Sequence, residues 1–126
     1  MIIQSNRVWI AGQFMAAQVE VEDDKIVNVY DYGTKDVDVD YGNDRVVPGF
    51  MDIHTHGYHT WDTNDATPEG LRHWMKEITA EGVTSICPTT ITQSHEVLSN
   101  ALKNVVRVVE EGYEGAEIIG IHFEGP

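Results

Sequence analysis

The second half of the sequence alternates two periodicities, and few folds accept that alternation. "FMDIH" (50–54), "VTSICPT" (83–89) and "EIIGIHFE" (117–124) are nearly continuous apolar runs of strand length. Two helix patterns lie between them. The first opens at Thr67, a good N-cap, with Pro68 in the first helical position. It carries Leu71, Trp74, Met75 and Ile78 on an i, i+3, i+4, i+7 stripe and stops at Gly82. The second opens near Ser94, spreads Val97, Leu98, Ala101, Leu102, Val105, Val108 and Val109 over one broad face, and stops at Gly112. Strands alternating with helices predict βαβ units, hence an α/β chain with a parallel sheet and right-handed crossovers. Apolar runs of this kind predict strands buried on both faces, with Cys87 in the core.

Residues 1–47 read differently. "RVWIAG", "QFMAAQVEVE", "KIVNVYDYG" and "DVDVDYG" are short β-like runs, and in the last the apolar and acidic residues alternate strictly. Asp23-Asp24 reads as a hairpin turn. This part predicts a small antiparallel sheet layer. Pro48-Gly49 marks the junction, so the expected domains are 1–47 and 48–126. The sequence reaches "HFEGP" just past a strand, with no helix to cover it. The expectation is either a fragment of a longer protein, truncated after its third barrel-type strand, or a chain whose missing layers come from another copy. An open strand edge there predicts self-association and a homo-oligomer.

Charge narrows the partners. Eight Lys and Arg against 21 Asp and Glu give a net charge of −13. Phosphate backbones would be repelled, so nucleic acid is not expected as a partner. The single cysteine excludes an internal disulfide. No apolar stretch approaches the roughly 18 residues of a membrane span, and the first residues lack the pattern of a signal peptide. A soluble, cytoplasmic protein with no membrane partner is expected.

The chemistry concentrates at the strand ends. His54 and His56 stand one residue apart, before Gly57. In a strand, side chains i and i+2 point the same way, roughly 6.5 Å apart at Cα, so both imidazoles can converge on one divalent ion. Glu124 ends another parallel strand. The carboxyl ends of such strands share a rim, so His54, His56 and Glu124 can meet across about 70 residues of sequence. An H-x-H pair alone also occurs at surfaces and in cores, and Glu124 alone can be a rim charge. Asp52 lies on the His54 face of an ideal strand, where it can support an imidazole. His122 faces the same way as Glu124 and reads as a packed or supporting histidine. His59 and Asp62 fall in the polar loop after the first strand, within reach of a substrate. His73 and His95 lie on helices and read as exposed.

"VVPGFMDIHTHG" resembles the opening barrel strand of the amidohydrolase superfamily. "EGVTSICPTTIT" and "IIGIHFEGP" more specifically resemble the N-acetylglucosamine-6-phosphate deacetylase family. The resemblance implies the beginning of a (β/α)8 TIM-type barrel preceded by part of a small β-sandwich. It implies a divalent metal, zinc or iron, in one or two ions, with His54, His56 and Glu124 as ligands. The implied reaction is hydrolysis of the acetamide of a small-molecule sugar phosphate, N-acetylglucosamine 6-phosphate, to glucosamine 6-phosphate and acetate in amino-sugar catabolism. The family's further metal histidines and its catalytic aspartate match no position of this sequence, so no catalytic residue is expected within it and residues 1–126 alone are expected to be inactive. The glycine-rich loop that often follows the first strand stands here as "GYHTWDTND". Other amidohydrolases, such as cyclic-amide hydrolases or deaminases, and a non-catalytic module that self-associates are the competing expectations.

Overall fold

A computed structural model describes residues 1–125. Pro126, the last residue of the "HFEGP" motif, lies outside the described residues. The chain divides into two compact units, Met1–Pro48 and Gly49–Pro126.

In the first unit β1 (Ile2–Ile10), β2 (Gln13–Glu22) and β3 (Lys25–Asp31) form an antiparallel meander. Both connections are two-residue turns: Ala11-Gly12 and Asp23-Asp24 have positive φ at each position. That backbone matches the right-handed twist of the flanking strands. Val8, Ala17 and Val19 form the core, with Ile3, Ile10, Val21 and Val46 packed against them. Gln18 is fully buried and fully satisfied. Its amide nitrogen donates to Gln4 Oε1 and to the Lys35 carbonyl, both at 2.9 Å, and its Oε1 accepts from the Lys35 N–H and the Thr34 hydroxyl.

The alternating "DVDVDYG" does not form the strand that its pattern predicts. Only β4 (Val39–Asp40) pairs, and it pairs with β1 in parallel, as does β5 (Arg45–Val46). The aspartates explain the difference. Asp38 accepts from the Ile2 N–H, and Asp40 accepts from the Gly42 N–H and from Gln4. Short carboxylates bound to nearby main chain compete with a regular ladder.

The second unit follows the expected order, with more local structure than the sequence predicts. β6 (Phe50–Thr55) leads into a hairpin of β7 (Gly57–Tyr58) and β8 (Trp61–Asp62), then a 3-10 turn at Thr63–Asp65. α1 (Pro68–Glu77) runs into a 3-10 turn at Ile78–Glu81 and stops at left-handed Gly82. Thr67 occupies the N-cap position, but its side chain makes no capping bond. β9 (Val83–Thr90) follows, then α2 (His95–Glu111), where Ser94 accepts from the Val97 N–H as an N-cap should. β10 (Glu117–Ile118) and β11 (His122–Phe123) complete it.

β9 is the central strand: β6, β10 and β11 all pair with it in parallel. The last apolar run is therefore not one continuous strand. Ile86 and Thr90 give their carbonyls to the N–H groups of Ile119 and Glu124. Pro88 lies between them, faces the same way, and has no N–H to give, so the ladder breaks there. Leu71, Trp74, Met75 and Ile78 from α1 and its extension pack with Val83, Ile86, Val105, Val108 and Ala116 in one core.

Only β9 meets the expectation of burial. In β6, Phe50, Met51 and Ile53 are 62%, 63% and 63% exposed, and Ile119 and Phe123 are also exposed. Among the described residues no element covers those side chains, so the continuous apolar pattern outruns the burial. Cys87 is half-buried rather than core. On α2, Val109 is exposed while Asn104 is buried, so the sequestered face is narrower than the apolar stripe.

Candidate metal centre

His54 and His56 reach one point because β6 bulges. Its register with β9 moves from Asp52↔Ile86 to Thr55↔Pro88, three residues on one strand against two on the other. A bulge adds one residue and re-aims the side chains around it. Asp52 Oδ1 accepts the His54 main-chain N–H at 3.0 Å, which holds the bulged segment. Asp52 thus supports the backbone of His54 and not its ring, contrary to the sequence expectation.

Glu124 meets both imidazoles. Its Oε2 lies 3.0 Å from His54 Nε2 and 2.8 Å from His56 Nε2. It arrives there because the Glu124 N–H donates to the Thr90 carbonyl, extending the β11 pairing by one residue. The hydrogen bond from His54 is the first cause that lowers the Glu124 carboxyl below its ordinary value, with further lowering from the charge of both imidazoles.

The ring nitrogens are divided in use. His56 Nδ1 lies 3.2 Å from the Thr89 carbonyl, which can only accept, so this nitrogen carries a proton. A neutral His56 then has a bare Nε2, directed at the carboxylate. An unprotonated nitrogen and a carboxylate oxygen at 2.8 Å repel unless a cation lies with them, either a second proton on the ring or a metal ion. The ligand atoms of His54, His56 and Glu124 all lie within 4.8 Å of one another. Two imidazoles and a carboxylate are the donor set of a divalent metal site with open positions. Among the described residues this is the group that can hold a metal ion.

The other expected residues sit around or away from it. His122 packs edge-on against His54, with ring centroids 4.6 Å apart, and its Nδ1 lies 3.5 Å from Thr89 Oγ1. It is a packing neighbour, as its place two residues before Glu124 suggests. His59 occupies the tip of the β7–β8 hairpin with φ 55°, exposed and stacked edge-on against Tyr58. It is not in the cluster. Asp62 caps the 3-10 turn by accepting from the Asn64 N–H. Thr63 instead approaches the centre: its N–H and hydroxyl both donate to the His56 carbonyl, at 2.7 and 3.0 Å. His73 and His95 are exposed, as expected. Thr89 went unmarked in the sequence, because a threonine inside a strand looks like any β-former.

Residues 45–126 match the model of the amidohydrolase family. The chain belongs to that family. It is 43% identical over 84 residues to an N-acetylglucosamine-6-phosphate deacetylase of Bacillus subtilis (strain 168), covering 64% of this chain and 21% of that protein. A deacetylase of the same name from Danio rerio is 36% identical over 97 residues, covering 75% of this chain and 24% of that one. Among solved structures, a mutant N-acetyl-D-glucosamine-6-phosphate deacetylase of Mycobacterium smegmatis, in complex with N-acetyl-D-glucosamine-6-phosphate, superposes with a TM-score of 0.87 at 27% identity. That match covers 100% of this chain and 32% of the other. The mixed α/β fold is therefore that of these structures, and the chain spans about a fifth to a third of the length of these relatives.

Proposed function

We propose that this chain is the metal-holding part of an N-acetylglucosamine-6-phosphate deacetylase, which hydrolyses the acetamide of its sugar phosphate to glucosamine 6-phosphate and acetate. The observation that carries the reading is the convergence of His54, His56 and Glu124, from two strand ends 70 residues apart, on one donor set. The names of its relatives point to the same substrate.

His54, His56 and Glu124 would hold a divalent ion, zinc or iron, in one or two copies. When bound, such an ion acidifies a water and polarises an amide carbonyl. The chain's own residues do the orienting. The Thr89 carbonyl fixes the proton of His56 on Nδ1, Asp52 holds the His54 backbone, and His122 packs against the His54 ring. All three ligands are committed to the ion, and none is left to move a proton between water and leaving amine. The aspartate to which the resemblance assigns that proton transfer matches no position here, so residues 1–126 by themselves are expected to release no acetate.

In this reading the second unit opens a (β/α)8 barrel and residues 1–47 contribute to a small β-sandwich. The protein is a cytoplasmic homo-oligomer. No helix of the described residues is long and apolar enough to cross a membrane. The test is to incubate the full protein with N-acetylglucosamine 6-phosphate and zinc, and to follow free acetate and free amine together. Equal release of both, stopped by a chelator, supports the reading. Release from a cyclic amide in place of the acetylated sugar phosphate overturns it.

A further inference from the structure

Thr89 is fully buried, and its hydroxyl and its carbonyl are used in an unusual way on the β6 side. With Thr55 opposite Pro88, a regular parallel ladder would give the Thr55 N–H to the Cys87 carbonyl and the Thr89 carbonyl to the Gly57 N–H. Here two side chains enter those bonds. The Thr55 N–H goes to the Thr89 hydroxyl at 3.0 Å, and the Thr89 carbonyl takes the His56 ring at 3.2 Å instead. The hydroxyl proton points back to the Cys87 carbonyl at 3.0 Å. A hydroxyl has one proton and two lone pairs. The Thr55 N–H takes one lone pair, and the other faces His122 Nδ1 at 3.5 Å.

We propose that Thr89 is a positioning residue of the metal centre: its hydroxyl bridges the Thr55 N–H to the Cys87 carbonyl and so holds the bulged β6 where the His56 ring meets the Thr89 carbonyl with its proton on Nδ1. The proposal rests on the metal reading above in one respect, that His56 Nε2 must be bare to serve as a ligand. The structural half stands apart from it. Without the hydroxyl, the Thr55 N–H falls to its ladder acceptor, the Cys87 carbonyl, which the hydroxyl now holds off. The bulge of β6 would then relax toward a regular ladder, and His56 would lose the partner that fixes its ring.

Thr89→Val removes the hydroxyl at nearly constant shape, and Thr89→Ser restores it. Two readouts on the full protein separate the questions. The first is zinc binding by calorimetry, with zinc alone as the probe. Thr89→Val should bind about tenfold to a hundredfold more weakly, the usual loss when a group that orients a metal ligand is removed, and Thr89→Ser should stay within about threefold of wild type. The second is the histidine tautomer by nitrogen NMR without metal: His56 should carry its proton on Nδ1 in wild type and Thr89→Ser, and shift toward Nε2 in Thr89→Val.

Equal zinc affinity and equal tautomer in wild type and Thr89→Val overturn the proposal, as does a Thr89→Ser variant as impaired as Thr89→Val. If wild type binds no zinc, the metal reading fails, while the tautomer still decides what Thr89 does. If Thr89→Val does not fold, the His56 tautomer decides: a proton on Nε2 in wild type overturns the proposal, and one on Nδ1 in both wild type and Thr89→Ser upholds it.

Discussion

Gly115 docks the segment that leads into β10 against the end of α1, and replacing it by alanine tests the packing argument directly. It has φ +107°, and a Cβ added there would lie 2.1 Å from the Met75 carbonyl oxygen, 2.5 Å from its carbon and 2.7 Å from Lys76 Cα. All three are main-chain atoms near the end of α1, so no side chain can swing away. The next residue, Ala116, donates its N–H to the same Met75 oxygen at 2.8 Å and is buried in the core. Positive φ costs an alanine about 1–2 kcal/mol. Relieving the clash moves the segment and breaks the Ala116 bond, leaving a buried donor at a cost of about 1–3 kcal/mol. Alanine recovers about 0.4–1 kcal/mol by restricting the unfolded chain. The net is a loss of about 3 kcal/mol, or a melting temperature lower by roughly 10 °C. Gly112→Ala is the control: φ is +87°, yet nothing lies within 4 Å of the added Cβ. It should lose only about 1 kcal/mol. Urea denaturation of both variants reads the difference. Equal losses would refute the reasoning, because backbone strain alone would then account for both.

Glu124→Gln, His54→Ala and His56→Ala should each weaken zinc binding at least tenfold in calorimetry, while His59→Ala, outside the cluster, should bind as wild type. Gln18→Leu should destabilise the first unit by about 1–3 kcal/mol in urea denaturation, since it strands the buried Gln4 amide and leaves two main-chain groups of Lys35 without their partner. Glu111 is held below its ordinary value by its bond from Arg107, then by that from Arg72. A depressed carboxyl stabilises above its unfolded value and loses that contribution as pH falls through its folded value. The stability gap between wild type and Glu111→Gln should therefore be present at neutral pH and close below the ordinary glutamate range, as followed by thermal melts across acid pH. A chelator should abolish acetate release by the full protein, and added zinc should restore it.

The sequence by itself determined the local elements and a candidate donor set. Apolar period placed α2, and α1 together with its 3-10 extension, within a residue or two of their limits, because Pro68, Ser94, Gly82 and Gly112 punctuate the backbone by local conformation alone. The same is true of the Asp23-Asp24 turn. The histidine pair and Glu124 were legible as a donor set because strand ends of a parallel sheet share a rim. What the sequence could not decide was pairing. Strict alternation in "DVDVDYG" looked like a full strand, but only Val39–Asp40 pairs, in parallel with β1, and Asp38 and Asp40 also bind main-chain donors at Ile2 and Gly42. The last apolar run looked continuous, but Pro88, on a different strand, interrupts it. The bulge at His54 and the role of Thr89 depend on which residues face each other across β6 and β9. A register is a relation between two segments, fixed by the energies of both, and no single segment records it.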